Sequence, residues 1–389
     1  MNILNKLFGV SAPEEKQSAT HQLIALQHVG APAWTPRDYA SLARNGYSRN
    51  VIAYRCIRLI AEAASSVPMQ LCDPEGQLSD HPLLAVMQHP NNAQSSAAFL
   101  EEVFGHLQTA GNAYIEAVRI NGGVRELYAL RPDRVKVRPD GNGWPGQYEY
   151  TVAGRTSVFA REDDGFMPVL HLKIFNPIND YYGTAPLEAA SDAVDIHNAA
   201  ASWNKALLDN AARPSGALVY KGVDGANQLS TEQFDRLKAE LQEGWQGRDN
   251  AGRPLVLDGG LDWKQLSLSP SDMDFIDAKH SAARDIALAF GVPPQLLGIP
   301  GDSTYSNYRE ANLAFWRQTI LPLVSKVSAS LSGWLCETAP GMRISYDATR
   351  IDALSPERAQ RLKQIAEAPF LTDREKRIAL GFPGEVSDD

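Results

Sequence analysis

Leu313, Trp316, Ile320, Val324, Val327, Leu331 and Trp334 follow one another at intervals of three or four residues. That spacing keeps all of them on one side of an α-helix. At about 1.5 Å per residue the stripe is roughly 34 Å long. A rod of this length sets the scale of whatever core it enters. Pro322 lies inside it. Proline removes a backbone donor and crowds the preceding turn, so the helix is expected to kink there.

Shorter elements precede this rod. "MNILNKLFGV" places Ile3, Leu4, Leu7 and Phe8 at helical spacing without the continuous apolar run of a signal peptide. Residues 9–45 are rich in Ala, Pro, Ser and Gln and lack periodicity, so 1–48 is expected to be a flexible arm. Val51, Tyr54, Ile57, Ile60 and Ala61 predict an amphipathic helix ending before Pro68, with Met69 and Leu71 opening a strand. Phe99, Val103, Phe104 and Leu107 mark a second helix. A strand-rich block follows, with a hairpin turn at Asn121-Gly122-Gly123 and further strands in "QYEYTVAG" and "PVLHLKIF".

Helices then dominate, over 187–210, 230–245 and about 269–290. The second carries a capping box, Ser230 with Gln233, and the third begins at Pro270. Between them "RPLVLDGGLDWKQLSLS" reads as two alternating runs around Asp258-Gly259-Gly260, a hairpin. A strand, "MRISYDA", and two short helices capped by Ser355-Pro356 and by Thr372 with Glu375 close the order. Helix, strands, then long helices is an α+β layout.

Composition narrows the functional classes. With 389 residues, 44% hydrophobic and 21% charged, the chain suits two or three packed globular units. A net charge of −9 is the wrong sign for tight DNA binding, though it permits loose enclosure of DNA. Cys56, Cys72 and Cys336 show neither disulfide nor metal spacing. No apolar run approaches the length of a membrane span.

No catalytic constellation stands out. "GIPGDST" looks like a phosphate loop, but no strand precedes it and no lysine lies between Gly298 and Arg309. In "SDMDFIDAKH", Asp277 and His280 share a helix face and make a metal site with Asp272 or Asp274 conceivable. Acids in a first helical turn also simply complement the helix dipole. No G-x-S-x-G elbow accompanies His171 or His197, so both read as structural. Arg134, Lys136 and Arg138 alternate with Val135 and Val137, a basic stripe suited to DNA, to a partner or to guarding a sheet edge. Ala278, Ala282, Ala283 and Ala287 let helices approach closely and suggest self-association.

Several stretches together have a familiar order: "HPLLAVMQHPNN", "GNAYIEAVR", "LYALRPDRV", "VLHLKIFNPINDYYGTAPLEAA", "RPSGAL", "SLSPSDMDFID", "AFGVPPQLLG" and "YSNYREA". Across about 50–335 the chain resembles the portal proteins of long-tailed bacteriophages and related gene transfer agents. One departure is Thr184-Ala185-Pro186, where a serine before the proline is usual; only a local cap is expected to change.

The resemblance implies an α+β portal fold in a ring oligomer, typically of twelve subunits. It has a strand-rich wing (49–228), stem helices (229–247 and 270–291) and a β-hairpin clip (248–269). A tunnel loop (292–311), a long kinked wing helix with a strand (312–345) and a small helical crown (346–389) follow. It implies a structural protein of a virion or gene-transfer-agent particle, not an enzyme, with no cofactor and no membrane. The ring sits at one capsid vertex, held by the major capsid protein and assembled in the bacterial cytoplasm. Double-stranded DNA passes through it non-specifically, driven by the terminase, and a head–tail adaptor docks on it.

By the same resemblance the DNA-proximal residues are Gly298, Gly301, Asp302, Ser303, Thr304, Tyr305, Ser306 and Asn307. The clip contacts are Arg248, Arg253, Asp258, Asp262, Trp263 and Lys264. From Pro270 to Glu310, acids outnumber bases by three, which repels phosphate and keeps DNA centred. Two other readings stand beside it: a capsid or adaptor protein without a channel, and a metal-dependent hydrolase using Asp274, Asp277 and His280.

Overall fold

The computed structural model describes residues 34–78, 80–209, 216–220, 230, 232, 235, 236, 239, 261–265, 275–301, 305–337, 339 and 341–380. The order opens with α1 (Tyr39–Leu42), a π-helical segment (Ala43–Ser48), α2 (Val51–Ser65), β1 (Met69–Asp73) and β2 (Gly76–Gln77). Next come α3 (Pro82–Gln88), α4 (Ser96–Ala110), β3 (Asn112–Ile120), β4 (Gly123–Leu130) and β5 (Val135–Pro139). Then follow β6 (Pro145–Val152), β7 (Arg155–Ala160), β8 (Val169–Lys173), α5 (Pro186–Ala189), α6 (Ser191–Asp209) and β9 (Gly216–Tyr220). The order ends with β10 (Leu261–Gln265), α7 (Phe275–Ala289), α8 (Tyr305–Phe315), α9 (Leu321–Leu335), β11 (Arg343–Tyr346), α10 (Ser355–Ala366) and α11 (Asp373–Ala379).

Among the described residues every strand pairing is antiparallel. The sheets run β11-β1-β2, β4-β3-β8, β5-β6-β7 and β10-β9. The β3–β4 hairpin turns on Asn121 and Gly122, both at positive φ, as a two-residue turn of this twist requires. Pairing of Leu71 with Ile344 ties the strand after α2 to the strand after the long helix.

The main core lies where α2, α4 and α9 meet the β4-β3-β8 sheet. Phe104, Ile57, Ile60, Ile115 and Val324 are among its fully buried side chains. Burying one such side chain stabilises the fold by about 1.5–3 kcal/mol. Phe166 stacks on Trp334, and the Trp334 indole N–H donates to the Met167 carbonyl, which fixes the end of α9.

Gly111 is the left-handed cap of α4, at φ 69. A Cβ there would lie 2.5 Å from the Thr184 backbone. The neighbouring Asn112 accepts the Gly183 N–H at 2.7 Å, pairs with His171 Nε2 at 3.0 Å and donates to the Ala110 carbonyl. Thus "GNAY" and "YYGTAP" form one joint. Thr184 is no cap: Ala185 holds the α5 N-cap position without a side-chain hydrogen bond.

Several sequence expectations need correction. Residues 35–48 are not an extended arm. Asp195 of α6 accepts from both the N–H and the hydroxyl of Thr35, and Asn198 donates to the Asn45 carbonyl. These polar bonds hold a segment whose composition lacks apolar periodicity. Residues 1–33 lie outside the described residues. On α2 the buried face is Ala53, Cys56, Ile57, Ile60, Ala61 and Ala64, while Val51 and Tyr54 are exposed. The helix expected over 187–210 breaks at Ala190 into α5 and α6. Ser355 is not an N-cap; Leu354 occupies that position and the Ser355 hydroxyl donates to the Asp352 carbonyl. The Thr372–Glu375 capping box is present as expected.

Candidate functional site

The linker after α7 is built into the core for most of its length. Ala282, Ala283, Ile286 and Ala287 bury one face of α7. The chain then turns at Gly291, at φ 65, where a Cβ would lie 2.9 Å from Thr319 Oγ1. The Thr319 hydroxyl donates to the Gly291 carbonyl at 2.6 Å. A 3₁₀ turn, Pro294–Leu297, ends at Gly298 in the left-handed region. Ile299 is buried against Ala283 and Ala287. Arg284 Nη2 donates to the Pro300 carbonyl at 2.6 Å and leaves no space for a Cβ on Gly301. The linker is therefore anchored at both ends of 291–301. Apolar burial and two side-chain bonds fix those residues.

Of the DNA-proximal residues inferred from sequence, Gly298 and Gly301 lie in this anchored stretch. Tyr305, Ser306 and Asn307 form the first turn of α8, where Ser306 and Asn307 are exposed. Asp302, Ser303 and Thr304 lie outside the described residues. The acid excess expected around the linker rests on Asp272, Asp274 and Asp302, all outside the described residues. Among those described, Asp277, Asp285 and Glu310 balance Lys279, Arg284 and Arg309.

Asp277, His280, Ser281 and Arg284 line an open cleft of about 540 Å³ with Pro300 and Gly301. Among the described residues no group of three or more His, Cys, Asp or Glu side chains is placed to hold a metal ion. His171 is stacked on Tyr114 with ring centroids 4.3 Å apart, and burial, reinforced by Lys173, pushes its pKa down to about 3. His197 Nδ1 lies 3.2 Å from the Asn50 amide nitrogen. Burial first, then the charges of Lys279 and His280, lowers its pKa. Both histidines are therefore neutral members of packed hydrogen-bonded clusters.

In the expected clip, Asp262, Trp263 and Lys264 lie on β10 opposite Val219, Leu218 and Ala217 of β9. The described partner of this strand is thus 216–220. The run before Asp258-Gly259-Gly260, together with Arg248, Arg253 and Asp258, lies outside the described residues. The helix expected over 230–245 is helical at the described 232, 235, 236 and 239. In the basic stripe Val135 and Val137 are buried and Arg138 pairs with Glu149 at 2.9 Å. An edge strand with one arginine already neutralised suits edge protection better than phosphate contact.

Sequence reasoning missed Asn50. Its carboxamide oxygen accepts from the Ile52 and Ala53 N–H groups, capping α2. Its amide donates to Asn198 and to the Val194 carbonyl, joining α2 to α6. The signal was available, as an Asn directly before the first periodic residue of a helix.

Residues 52–381 match the phage portal protein family. This chain belongs to that family. A chain in the neck of an empty GTA particle, solved with C6 symmetry, is 48% identical and superposes with a TM-score of 0.72, over 91% of this chain and 96% of that one. A chain in the neck of a native GTA particle, solved with C12 symmetry, is 47% identical at a TM-score of 0.70 with the same coverage. A protein of Rickettsia bellii is 42% identical over 87% of this chain and 88% of its own length. The motifs that carry the family likeness are structural joints. The Gly111–Gly183 approach, the turn from Gly291 to Gly298, and strands β3 and β8 fall within them.

Proposed function

We propose that this chain is the portal subunit of a phage-like gene-transfer-agent particle, closing into a ring at one capsid vertex. The observation that carries the reading is identity near one half with the particle-neck chain over nearly the whole of both lengths. Double-stranded DNA enters through the ring during packaging and leaves through it on delivery. Twelve copies make the ring, matching the C12 symmetry of the native particle neck. Residues 49–228 and the long helix form the wing, α7 belongs to the stem, and β10 belongs to the clip. The linker before α8 is the tunnel loop, and α10 and α11 belong to the crown. The clip meets the terminase and then a head–tail adaptor, with Asp262, Trp263 and Lys264 among its contacts. The major capsid protein surrounds the wing.

The chemistry asked of such a ring is restraint. A channel lined by balanced or acidic side chains makes few counterion-releasing contacts, so DNA slides through it. The test is genetic complementation in the producing bacterium. An in-frame deletion of this chain is expected to abolish nuclease-protected DNA in the particle fraction, and the full-length chain to restore it. Protected DNA at wild-type levels without the chain overturns the reading.

A further inference from the structure

We propose that the groove between the start of α9 and the α10 helix is a nucleic-acid site that takes phosphodiester backbone without regard to base sequence. The proposal rests on the reading of the chain as a ring through which DNA passes. The groove has a volume of about 590 Å³. Leu321, Ala348 and Leu354 form its floor, and each packs on the main core. Arg317 stands on one wall. The other is the exposed face of α10, with Arg358, Gln360, Arg361 and Gln364.

Charge decides what fits. Among the described residues Glu357 is the one carboxylate lining the groove, and it is ion-paired with Arg317. Arg358 uses one N–H on the Thr349 carbonyl, which orients its guanidinium. Arg361 makes no hydrogen bond or ion pair among the described residues. Arg358 also lies within reach of the Asp347 carboxylate, so Arg361 keeps the uncompensated charge, and the described lining carries three guanidinium groups against one carboxylate in a chain whose net charge is −9. Guanidinium forks match phosphate oxygens, and Gln amides commonly donate to phosphate and sugar. Among the described residues no aromatic side chain lines the groove to act as the anchor typical of a protein interface. The site is shallow and polar-walled, which suits a backbone passing over it. A base flipped out of the stack would need an aromatic platform.

The experiment uses the full-length assembled protein and a short fluorescent DNA duplex of random sequence, with anisotropy followed across a salt series. Wild-type affinity is expected to fall linearly with salt on logarithmic axes. The double variant R358Q/R361Q is expected to bind about tenfold more weakly at moderate salt, with the slope reduced by about 2. R361Q alone, at an exposed residue with no partner to lose, is expected to weaken binding about threefold. R343Q, on β11 outside the groove, is expected to leave binding unchanged. Unchanged affinity and slope in both groove variants overturn the proposal. So does a poly-glutamate probe that binds as tightly as the duplex with the same dependence on Arg358 and Arg361, which would assign the groove to an acidic protein. Electron microscopy of the same samples separates the two readings. Intact rings without an arginine effect overturn the groove alone, whereas absence of rings overturns the ring reading and the groove with it.

Discussion

Gly111 has no room for a side chain. Its backbone is left-handed, and a methyl group would press on the chain at Gly183–Ala185. Gly111→Ala is expected to destabilise the fold by about 3 kcal/mol, read as a lower urea midpoint with unchanged m-value. The sequence contains this glycine in a recognisable stretch. The reason for it, the backbone of Gly183–Ala185 far along the chain, is visible only in three dimensions. The same holds for His171, whose neutrality comes from its burial, stacked on Tyr114, reinforced by Lys173. Its pKa is depressed from the ordinary 6.5 to about 3, so the unfolded chain takes up the proton first as pH falls. Stability is therefore unaffected by this group above about pH 6.5 and is lost as pH drops from there toward 3. His197 is displaced in the same direction. Denaturant midpoints measured from pH 8 to pH 4 are expected to fall below pH 6.5, and His171→Gln to flatten that fall by about one proton. A midpoint rising with acid would contradict the assignment.

Elements show where local pattern is sufficient and where it is not. The three-and-four spacing from Leu313 to Trp334 did mark a long apolar stripe, and Ile320, Val324, Val327, Leu331 and Trp334 are buried. The kink expected at Pro322 takes a particular form. A π-turn, Trp316–Ile320, precedes α9 and places Pro322 in the first turn of the new helix. There its missing N–H costs little. The π-turn also carries Thr319, whose hydroxyl holds the Gly291 carbonyl. Thr319→Val keeps the shape and removes that donor. A loss of about 1 kcal/mol is expected, with faster amide exchange across Val292–Ile299. Asn50 joins elements as well as capping one. Asn50→Ala is expected to cost about 2–3 kcal/mol, above the loss of a cap alone, because buried partners on α6 lose their donor. A cost equal to a simple cap would show that the α2–α6 network contributes nothing. The docking of 35–48 was not legible for the same reason. It is held by Asp195, Asn198 and Asn45, scattered polar residues with no period, together with the isolated burial of Leu42.

For the whole molecule, the order of elements and the family motifs were readable from the sequence, and the fold bears out an α+β architecture of antiparallel sheets and helices. Individual contact residues were less readable. Half of the inferred clip contacts lie outside the described residues, and the linker over 291–301 is firmly held. Anchoring by Thr319, Ile299 and Arg284 comes from residues that are unremarkable in a linear reading. On the alanine face of α7, Ala282, Ala283 and Ala287 are buried within the subunit, whereas Ala278 is exposed. Ile196 on α6 and Ile276 and Leu288 on α7 are exposed apolar side chains. The central claim is that copies of this chain close around a DNA duplex. Electron microscopy of the purified full-length protein, with class averages viewed down the symmetry axis, tests it most directly. The account predicts closed rings of twelve subunits with a central opening wide enough for B-form DNA. Monodisperse single subunits, or rings with no opening, would contradict it.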